Sequence, residues 1–357
     1  MIVIVLLLII LAVWKAERNW GSFAINALQI HSKCDCVVAE PGQPVTWSAT
    51  VENHSRRPIP FVRLIERFPD QVDTVMEEAW LLKHRKECVL SWICENCMSI
   101  PAHSSVTRYM TLRFPRRGVY KLGEYDLSAG DFLGLQERNW HGYPETMVVI
   151  PERSEQRAAI DALGGFLGDI SVQRFIMEDP ILTVGFQDYS GREPLRDISW
   201  IRTAVTGALQ VKRYDHTSEH HVVVLLNGED AQDESLEECL RLTRTVCEKL
   251  EQEKIPYGFR TNGNLPGPIA KILALPESLG PRHLNTILYG LGGADKTRFF
   301  SFRYLTNQTL RKRKNNESYI VITPAKTPET MACIRSLDRA VDGRLCVLTG
   351  QQEDESL

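Results

Sequence analysis

The sequence lacks the excess of basic residues that nucleic-acid-binding proteins usually carry. Its 357 residues include 42 lysines and arginines against 45 aspartates and glutamates, so the formal net charge is −3 at pH 7. Because a polyanionic backbone is normally met by a basic protein face, no nucleic-acid partner is expected. The chain also lacks the apolar deficit of disordered proteins, since 43% of its residues are hydrophobic. Most of it is therefore expected to fold, and its length favours two domains.

The nine cysteines lack the pairing of a zinc ribbon. There is one Cys-x-x-Cys pair, Cys94 and Cys97, and a Cys-x-Cys step, Cys34 and Cys36, lies far upstream. A zinc ribbon needs two Cys-x-x-Cys pairs. Residues two apart in a strand point to the same face, so Cys34 and Cys36 also suit packed positions. Packing in a reducing compartment is the favoured interpretation, and metal binding is the alternative.

The chain has one long apolar run, at its start. Residues Ile2 to Trp14 (IVIVLLLIILAVW) carry no charge, and at 1.5 Å per residue they span roughly 20 Å of the roughly 30 Å hydrocarbon core of a bilayer. The helix is longer if it continues to Ala24 with Lys15 and Arg18 extending outward. No basic segment precedes the run, as a signal peptide would require. These features predict a membrane anchor helix over residues 1–24, and a buried element of a soluble domain is the alternative.

The charges around this run predict its orientation. Lys15 and Arg18 follow the run and only the α-amino group precedes it, so the positive-inside rule places the body of the chain in the cytoplasm. The predicted localisation is thus the cell membrane, single-pass, with the bulk of the protein cytoplasmic. A reversed topology with a periplasmic or extracellular β-sandwich is the alternative.

Residues 28–150 show short β-prone stretches separated by turn signals, with no long helical periodicity. Val45 to Val51 alternates apolar and small polar residues after the turn at Pro41 and Gly42, and such alternation is typical of a half-buried strand. Val106 to Phe114 also has period two, and the pattern leaves open which of its faces is buried. The segment is predicted to be a β-sandwich.

The pattern changes in the second half of the chain. Residues 151–213 are broken by glycines and prolines, which predicts an extended connector with one short helix at Ile198 to Leu209. From residue 214 to residue 357, strands alternate with helices. The run His221 to Leu226 is apolar enough to be buried on both faces, and Asp233 to Lys254 repeats its leucines at helical spacing. This alternation predicts a doubly wound α/β domain over residues 214–357.

Several motifs resemble those of one known family. The stretch Tyr189 to Trp200 (YSGREPLRDISW), followed by Leu209 to Tyr214 (LQVKRY), resembles the signature of the domain of unknown function 58 family. Arg116 to Tyr120 (RRGVY) and Gly130 to Leu135 (GDFLGL) resemble two upstream elements of the same family. The resemblance therefore covers most of the chain.

The resemblance implies a multidomain fold. Its parts are an N-terminal hydrophobic helix, an all-β immunoglobulin-like sandwich and a doubly wound von Willebrand factor A-like α/β domain. It also implies partners, namely a MoxR-like AAA+ ATPase and a transglutaminase-like protein beside the membrane. The biochemical role of the family is largely unassigned; a membrane-anchored adaptor that is not an enzyme is the role expected from the resemblance together with the lack of a catalytic constellation. The chain departs from the commoner pattern in having one apolar segment where relatives often have a pair.

The loop after the first strand of the α/β domain bears on cofactors. A von Willebrand A domain that binds Mg²⁺ does so through an Asp-x-Ser-x-Ser loop at this place, because a hard cation needs clustered oxygen ligands. Here the loop reads Asn227-Gly228-Glu229-Asp230 and supplies neither serine. Glu229 and Asp230 remain the metal candidates, but acidic residues at a strand end more often cap the next helix or stay solvated. No cofactor is expected.

The signature motif has two interpretations. Its members are Tyr189, Gly191, Arg192, Glu193, Arg196, Ile198 and Trp200. In the favoured interpretation Tyr189, Ile198 and Trp200 anchor the connector against the α/β domain, and Arg196 and Asp197 pair at the surface. In the alternative a docking surface is formed, since tryptophan, tyrosine and arginine most often dominate protein interfaces; its members are Tyr189, Arg192, Glu193, Arg196 and Trp200.

No catalytic constellation can be identified. Pairs such as Cys97 with His103, or Cys239 with His283, have no motif that connects them, although a nucleophile needs a base within reach. The leading hypothesis is therefore a protein-interaction role. The alternative is a hydrolase or transferase whose site lies between the two domains.

Overall fold

The structure is a computed structural model that describes residues 23–74, 85–88, 90–130, 137–176, 179–191, 193–216, 221–265, 274–297, 300–314 and 316–351. The chain divides into two compact units, residues 1–152 and 153–357. The predicted anchor helix covers residues 1–24, of which residues 1–22 lie outside the described residues.

The first unit is built from β-strands. They are β1 (Leu28–Cys34), β2 (Val38–Ala39), β3 (Pro44–Asn53), β4 (Ile59–Pro69), β5 (Asp73–Thr74), β6 (Arg85–Cys88), β7 (Ser91–Ile100), β8 (Ser104–Arg113), β9 (Gly118–Leu122), β10 (Glu124–Gly130), β11 (Glu137–Gly142) and β12 (Glu145–Val149). These strands form three sheets with the orders β1-β3-β8-β5, β11-β10-β4-β7-β6 and β2-β12-β9.

Period-two alternation explains how these strands bury one face. Along β3, Val45, Trp47, Ala49 and Val51 are buried and the residues between them are partly exposed. The same rule resolves the face of β8 that the sequence leaves open, because Met110 and Leu112 are buried while Tyr109 is exposed. Their side chains meet those of β4 and β7 in two clusters, one that contains Trp47 and Phe68 and one that contains Val51 and Leu64, so the two larger sheets pack face to face.

A buried ion pair joins these two sheets. Glu66 on β4 is 1% exposed and accepts hydrogen bonds from Arg108 on β8 and, at 2.8 Å, from the indole Nε1 of Trp47 on β3. Arg108 also donates from Nη1 to Sγ of Cys94 on β7 at 2.7 Å. Burial raises the pKa of the Glu66 carboxyl, and the Arg108 guanidinium opposes the rise. A group this buried needs its hydrogen-bond partners, so the network favours one pairing of the two sheets.

The second unit mixes strands and helices. Its helices are α1 (Arg157–Ile176), α2 (Trp200–Thr206), α3 (Asp233–Gln252), α4 (Pro281–Gly292), α5 (Phe302–Arg311) and α6 (Pro328–Val341), and Leu195–Asp197 forms a 3-10 turn. Its strands are β13 (Asp179–Asp188), β14 (Gln210–His216), β15 (His221–Leu226), β16 (Tyr257–Thr261), β17 (Ala274–Ser278), β18 (Glu317–Thr323) and β19 (Leu345–Thr349).

These seven strands form two separate sheets. One sheet has the order β17-β16-β15-β18-β19, in which β15 pairs in parallel with β16 and with β18, and β17 is an antiparallel edge. The other is the antiparallel pair β13–β14. Leu236, Leu240 and Leu250 give α3 a buried stripe at helical spacing. The predicted strand at 221–226 is confirmed, and the predicted helix from Asp233 is confirmed with its end two residues earlier.

The predicted fold class is nevertheless wrong. The described chain is richer in strand than in helix, its strands are spread over five sheets, and it contains no clear von Willebrand factor A-like domain. The segment predicted to be an extended connector, residues 151–213, accounts for part of the error. It contains α1, a helix of 20 residues, together with β13 and the start of β14, which form an antiparallel sheet of their own. Hydrophobic periodicity reports single elements and says little about their pairing.

The predicted single-pass membrane localisation is also corrected. Among the helices of the described ranges, none combines the length and the apolar character that crossing a bilayer requires.

Candidate functional site

The signature residues lie on the small β13–β14 sheet and on the segment that joins its strands. Ile198 is 4% exposed and forms an isolated bridge with Val211 of β14. Tyr189 is partly buried and its backbone N–H donates to Leu209 O at 2.8 Å. The Glu193 carboxylate accepts hydrogen bonds from Ser190, and Gly191 has a φ of +88° that an L side chain rarely adopts.

The remaining signature residues are either only partly described or exposed to solvent. Arg192 lies outside the described residues, and Arg196 is placed only by its backbone, in the 3-10 turn. Trp200 is the first residue of α2 and is 66% exposed. The structure therefore brings Tyr189, Glu193 and Ile198 into one local arrangement, while Trp200 faces solvent. Anchoring, the favoured interpretation of the motif, fits Ile198 and does not fit Trp200.

Trp200 belongs to a group of exposed apolar side chains. On α2, Ile201 is 83% exposed and Val205 is 74% exposed. We call the whole group the apolar face; its members are Phe186, Leu195, Trp200, Ile201, Val205 and Leu209, all of them exposed. Isolated exposed apolar residues are normal on a protein surface, but three of them on one short helix, α2, indicate an interaction surface.

Backbone hydrogen bonds determine which side of α2 is exposed. The Ser199 N–H donates to Gln210 O at 2.8 Å, and the Gln210 N–H donates to Thr203 Oγ1 at 3.0 Å. Thr203 therefore faces β14. Ile201 and Val205 lie four residues apart, on one side of a helix turn, and point away from that strand. The helix ends at Gly207, whose φ of +72° is the left-handed conformation of a C-cap.

The apolar spacing in this part of the sequence suggests burial, although most of these side chains are exposed in the structure. Ile198, Ile201, Val205 and Leu209 form an apolar stripe at helical spacing, which predicts one amphipathic helix buried along that stripe. In the structure Ile198 precedes the helix and Leu209 follows it, so only Ile198 reaches the core. The apolar members of α2 itself remain exposed.

One of the two metal candidates, Glu229, has a capping role. Glu229 Oε2 accepts a hydrogen bond from the Phe302 N–H at 3.0 Å, so its carboxylate caps the start of α5. Asp230 occupies the left-handed region with a φ of +58°. Within the described residues, no three His, Cys, Asp or Glu side chains are grouped so that they could hold a metal ion.

Asn227 stands where the missing loop would begin, and its amide is already engaged. Its Oδ1 accepts from Asn262 Nδ2 at 3.0 Å and from the Glu229 N–H at 2.9 Å, and its Nδ2 donates to Thr323 Oγ1 at 3.1 Å. The Asn262 side chain also accepts from the Gly228 N–H at 2.7 Å. These bonds join the carboxyl ends of β15, β16 and β18. The residues present therefore do not fit an Mg²⁺ site of the von Willebrand A kind.

A polar cavity of about 580 Å³ opens between α5 and α6. Arg303, Glu229 and Glu329 contribute charges to its lining, and Thr306 and Cys333 lie along its wall. Burial raises the pKa of the Cys333 thiol, which keeps it protonated at neutral pH. The lining offers no nucleophile held by a base, so the cavity does not provide a catalytic arrangement.

Burial makes three further thiols, including the candidate Cys239, unsuited to nucleophilic attack. Burial raises the pKa of Cys239 to about 12, of Cys34 to about 12 and of Cys36 to about 11. The thiolate is the reactive form, and these values hold it at a very small fraction at neutral pH. His283 lies beside Tyr257, with ring centroids 4.8 Å apart, and no contact joins it to Cys239 among the described residues.

Comparison with known proteins leaves the chain unassigned. No family model matches it, and no curated protein matches it. Among solved structures, a non-cellulosomal cohesin from the archaeon Archaeoglobus fulgidus is similar, with 13% identity and a TM-score of 0.25 over 36% of this chain and 95% of the cohesin chain. The sporulation control protein Spo0M from Bacillus subtilis is similar with 13% identity and a TM-score of 0.21, over 46% of this chain and 58% of that chain. Likenesses this weak carry no argument about fold or function.

Proposed function

We propose that this protein is a non-catalytic binding component that docks a partner protein through the apolar face. The observation that carries the proposal is the exposure of Trp200, Ile201 and Val205 on α2. Water contact with apolar surface costs roughly 25 cal/mol per Å², so a group of large apolar side chains left in solvent represents free energy that an interface can recover.

The make-up and rigidity of the apolar face support this role. Tryptophan is strongly enriched among the interface residues that dominate binding energies, and Trp200 is among the most exposed large apolar side chains of the described residues. α2 is held by backbone bonds to β14 and by its Gly207 C-cap, so its side chains are presented on a fixed support. A preorganised surface loses less conformational entropy on binding.

The family resemblance suggests which partner to test. The motif from Tyr189 to Trp200 resembles the signature of the domain of unknown function 58 family, whose members often accompany a MoxR-like AAA+ ATPase and a transglutaminase-like protein. We propose the ATPase as the partner of the apolar face. The proposal assigns no chemical step to this chain.

Site-specific photo-crosslinking tests the proposal. A photoreactive phenylalanine replaces Ile201 in the full chain, and a matched variant carries it at Tyr304, an exposed aromatic residue of α5 outside the apolar face. We expect the Ile201 variant alone to crosslink the purified ATPase encoded nearest to this gene, and Trp200→Ala to weaken that complex by roughly 30-fold, as for a central interface residue. Equal crosslinking at both positions, or none at Ile201, would refute the docking role.

A further inference from the structure

Two positive charges border the apolar face at Phe186. The Arg202 guanidinium carbon lies 5.0 Å from the centre of the Phe186 ring. Lys212 of β14 is the register partner of Phe186 across the β13–β14 pair, and residues opposite each other in antiparallel strands project from the same side. Phe186 is therefore flanked by a cation on each of two elements.

Neither cation is neutralised within the part of the chain that the structure describes. The described contact of the Arg202 side chain is with the Phe186 ring, and no carboxylate among the described residues forms an ion pair with Arg202 or Lys212. Both are free to meet a negative charge from outside.

The nearby carboxylates are occupied locally instead. Glu193 accepts from the Ser190 N–H at 3.0 Å and from Ser190 Oγ at 2.7 Å. Asp188 accepts a hydrogen bond from the Gln210 side chain. These acids accept hydrogen bonds from neutral donors of their own segment and pair with neither Arg202 nor Lys212, so both cations remain available for a carboxylate of the partner.

From this arrangement, and resting on the proposed function, we infer that the partner presents an acidic amphipathic segment to the apolar face. Its apolar side chains cover Trp200, Ile201 and Val205, and its carboxylates pair with Arg202 and Lys212. The apolar contact supplies most of the affinity. The charges supply selectivity and a faster encounter, because complementary rim charges steer association more than they strengthen it.

Three designed peptides test this inference on the full chain. They share one apolar stripe at helical spacing and carry Glu, Gln or Lys at every flanking position. Fluorescence anisotropy at low salt should rank their affinities Glu over Gln over Lys. Because exposed charge contacts are individually weak and screened by salt, the Glu peptide should bind roughly tenfold more tightly than the Lys peptide, and the ratio should shrink at high salt.

Charge-reversal variants locate the effect. The double variant R202E/K212E should reverse the order of the Glu and Lys peptides. R311E/K312E is the matched control, since it makes the same change in net charge at two exposed residues near the end of α5 and should keep the original order. If the control reverses the order as well, the preference comes from net charge and the inference is overturned.

The outcomes separate this inference from the function on which it rests. Equal affinity for all three peptides, lost in Trp200→Ser, would overturn the acidic partner and leave docking intact. Absence of peptide binding would also overturn the inference, while a crosslink from Ile201 to the ATPase would still support docking. Failure of that crosslink refutes docking itself.

Discussion

Ile198 and Trp200 are two positions apart and occupy opposite environments. Ile198 is buried beside Val211, whereas Trp200 is in solvent at the start of α2. Their contributions to folding and to binding should therefore be separable. A buried aliphatic residue stabilises the fold through transfer from water and through close packing, and an exposed one does neither to the same degree.

We expect Ile198→Ala to lower the free energy of unfolding by roughly 2–4 kcal/mol and Trp200→Ala to lower it by less than about 1 kcal/mol. Urea denaturation of the two variants, followed by circular dichroism, measures both values. A loss in Trp200→Ala as large as that in Ile198→Ala would show that the tryptophan is a folding residue and not an interface residue.

The His283 side chain makes stability depend on pH. Burial holds the pKa of His283 below its usual range, and a hydrogen bond with the Tyr257 backbone and the nearby Glu251 carboxylate only partly oppose this. The unfolded chain, whose histidine pKa is about 6.5, then binds more protons than the folded chain just below that pH. Stability is accordingly full above the unfolded pKa and falls as the pH drops through it.

The change that isolates this effect is His283→Phe, which keeps an aromatic ring beside Tyr257. Wild-type protein should lose more stability than the variant between neutral pH and pH about 5, because the variant has no proton to bind at this position. Urea denaturation at several pH values gives the free energy of unfolding of both proteins. In the difference between the two profiles, the contributions of the other titratable groups cancel. Parallel pH profiles for the two proteins would contradict the assignment.

At the scale of elements, the Glu229 carboxylate has a structural role at the start of α5. It accepts the Phe302 N–H, and a negative charge at a helix N-terminus also interacts favourably with the helix dipole. Ser301 adds a second cap by accepting from the Tyr304 N–H. A strand-end acid that suggests a metal ligand thus has a structural role.

Glu229→Ala should lower the free energy of unfolding by roughly 1 kcal/mol, as the loss of a helix cap does. Glu329→Ala, in the first turn of α6, is the control and should cost less, since its carboxylate makes no described capping bond. Because a ligand that binds only the folded state raises the Tm, millimolar MgCl2 should leave the Tm of wild-type protein unchanged. A magnesium-dependent rise that disappears in Glu229→Ala would restore the metal hypothesis.

At the scale of the whole molecule, single elements were more predictable than their arrangement. The apolar run at 221–226 and the leucine spacing after Asp233 predict β15 and α3, because burial imposes a recognisable period on each. The antiparallel entry of β17 depends on pairing between distant residues, such as Phe259 with Leu275, which no local period encodes. Local periods therefore predict single elements and leave the number of sheets and their strand order open.

The candidate site shows the same division between local and tertiary information. The signature predicts a structural or docking role for residues 189–200, and the residue type of Trp200 suggests an interface. Which side of α2 faces solvent depends on the bond from the Gln210 N–H to Thr203 Oγ1, a contact across a turn. The positive border at Phe186 likewise depends on the register of β13 with β14, which the sequence pattern does not specify.

The second unit should fold without the first. It has its own core, in which Val223, Leu225, Phe302, Tyr319 and Leu337 pack together, and the chain divides at residue 153. Residues 153–357 expressed alone should therefore unfold in one cooperative transition.

Because this unit contains all six members of the apolar face together with Arg202 and Lys212, it should also bind the acidic peptide as tightly as the full chain does. Thermal unfolding followed by near-ultraviolet circular dichroism measures folding, and anisotropy with the same peptide measures binding. A folded fragment that no longer binds would mean that the first unit contributes to the interface, and a fragment without cooperative unfolding would mean that the two units fold as one.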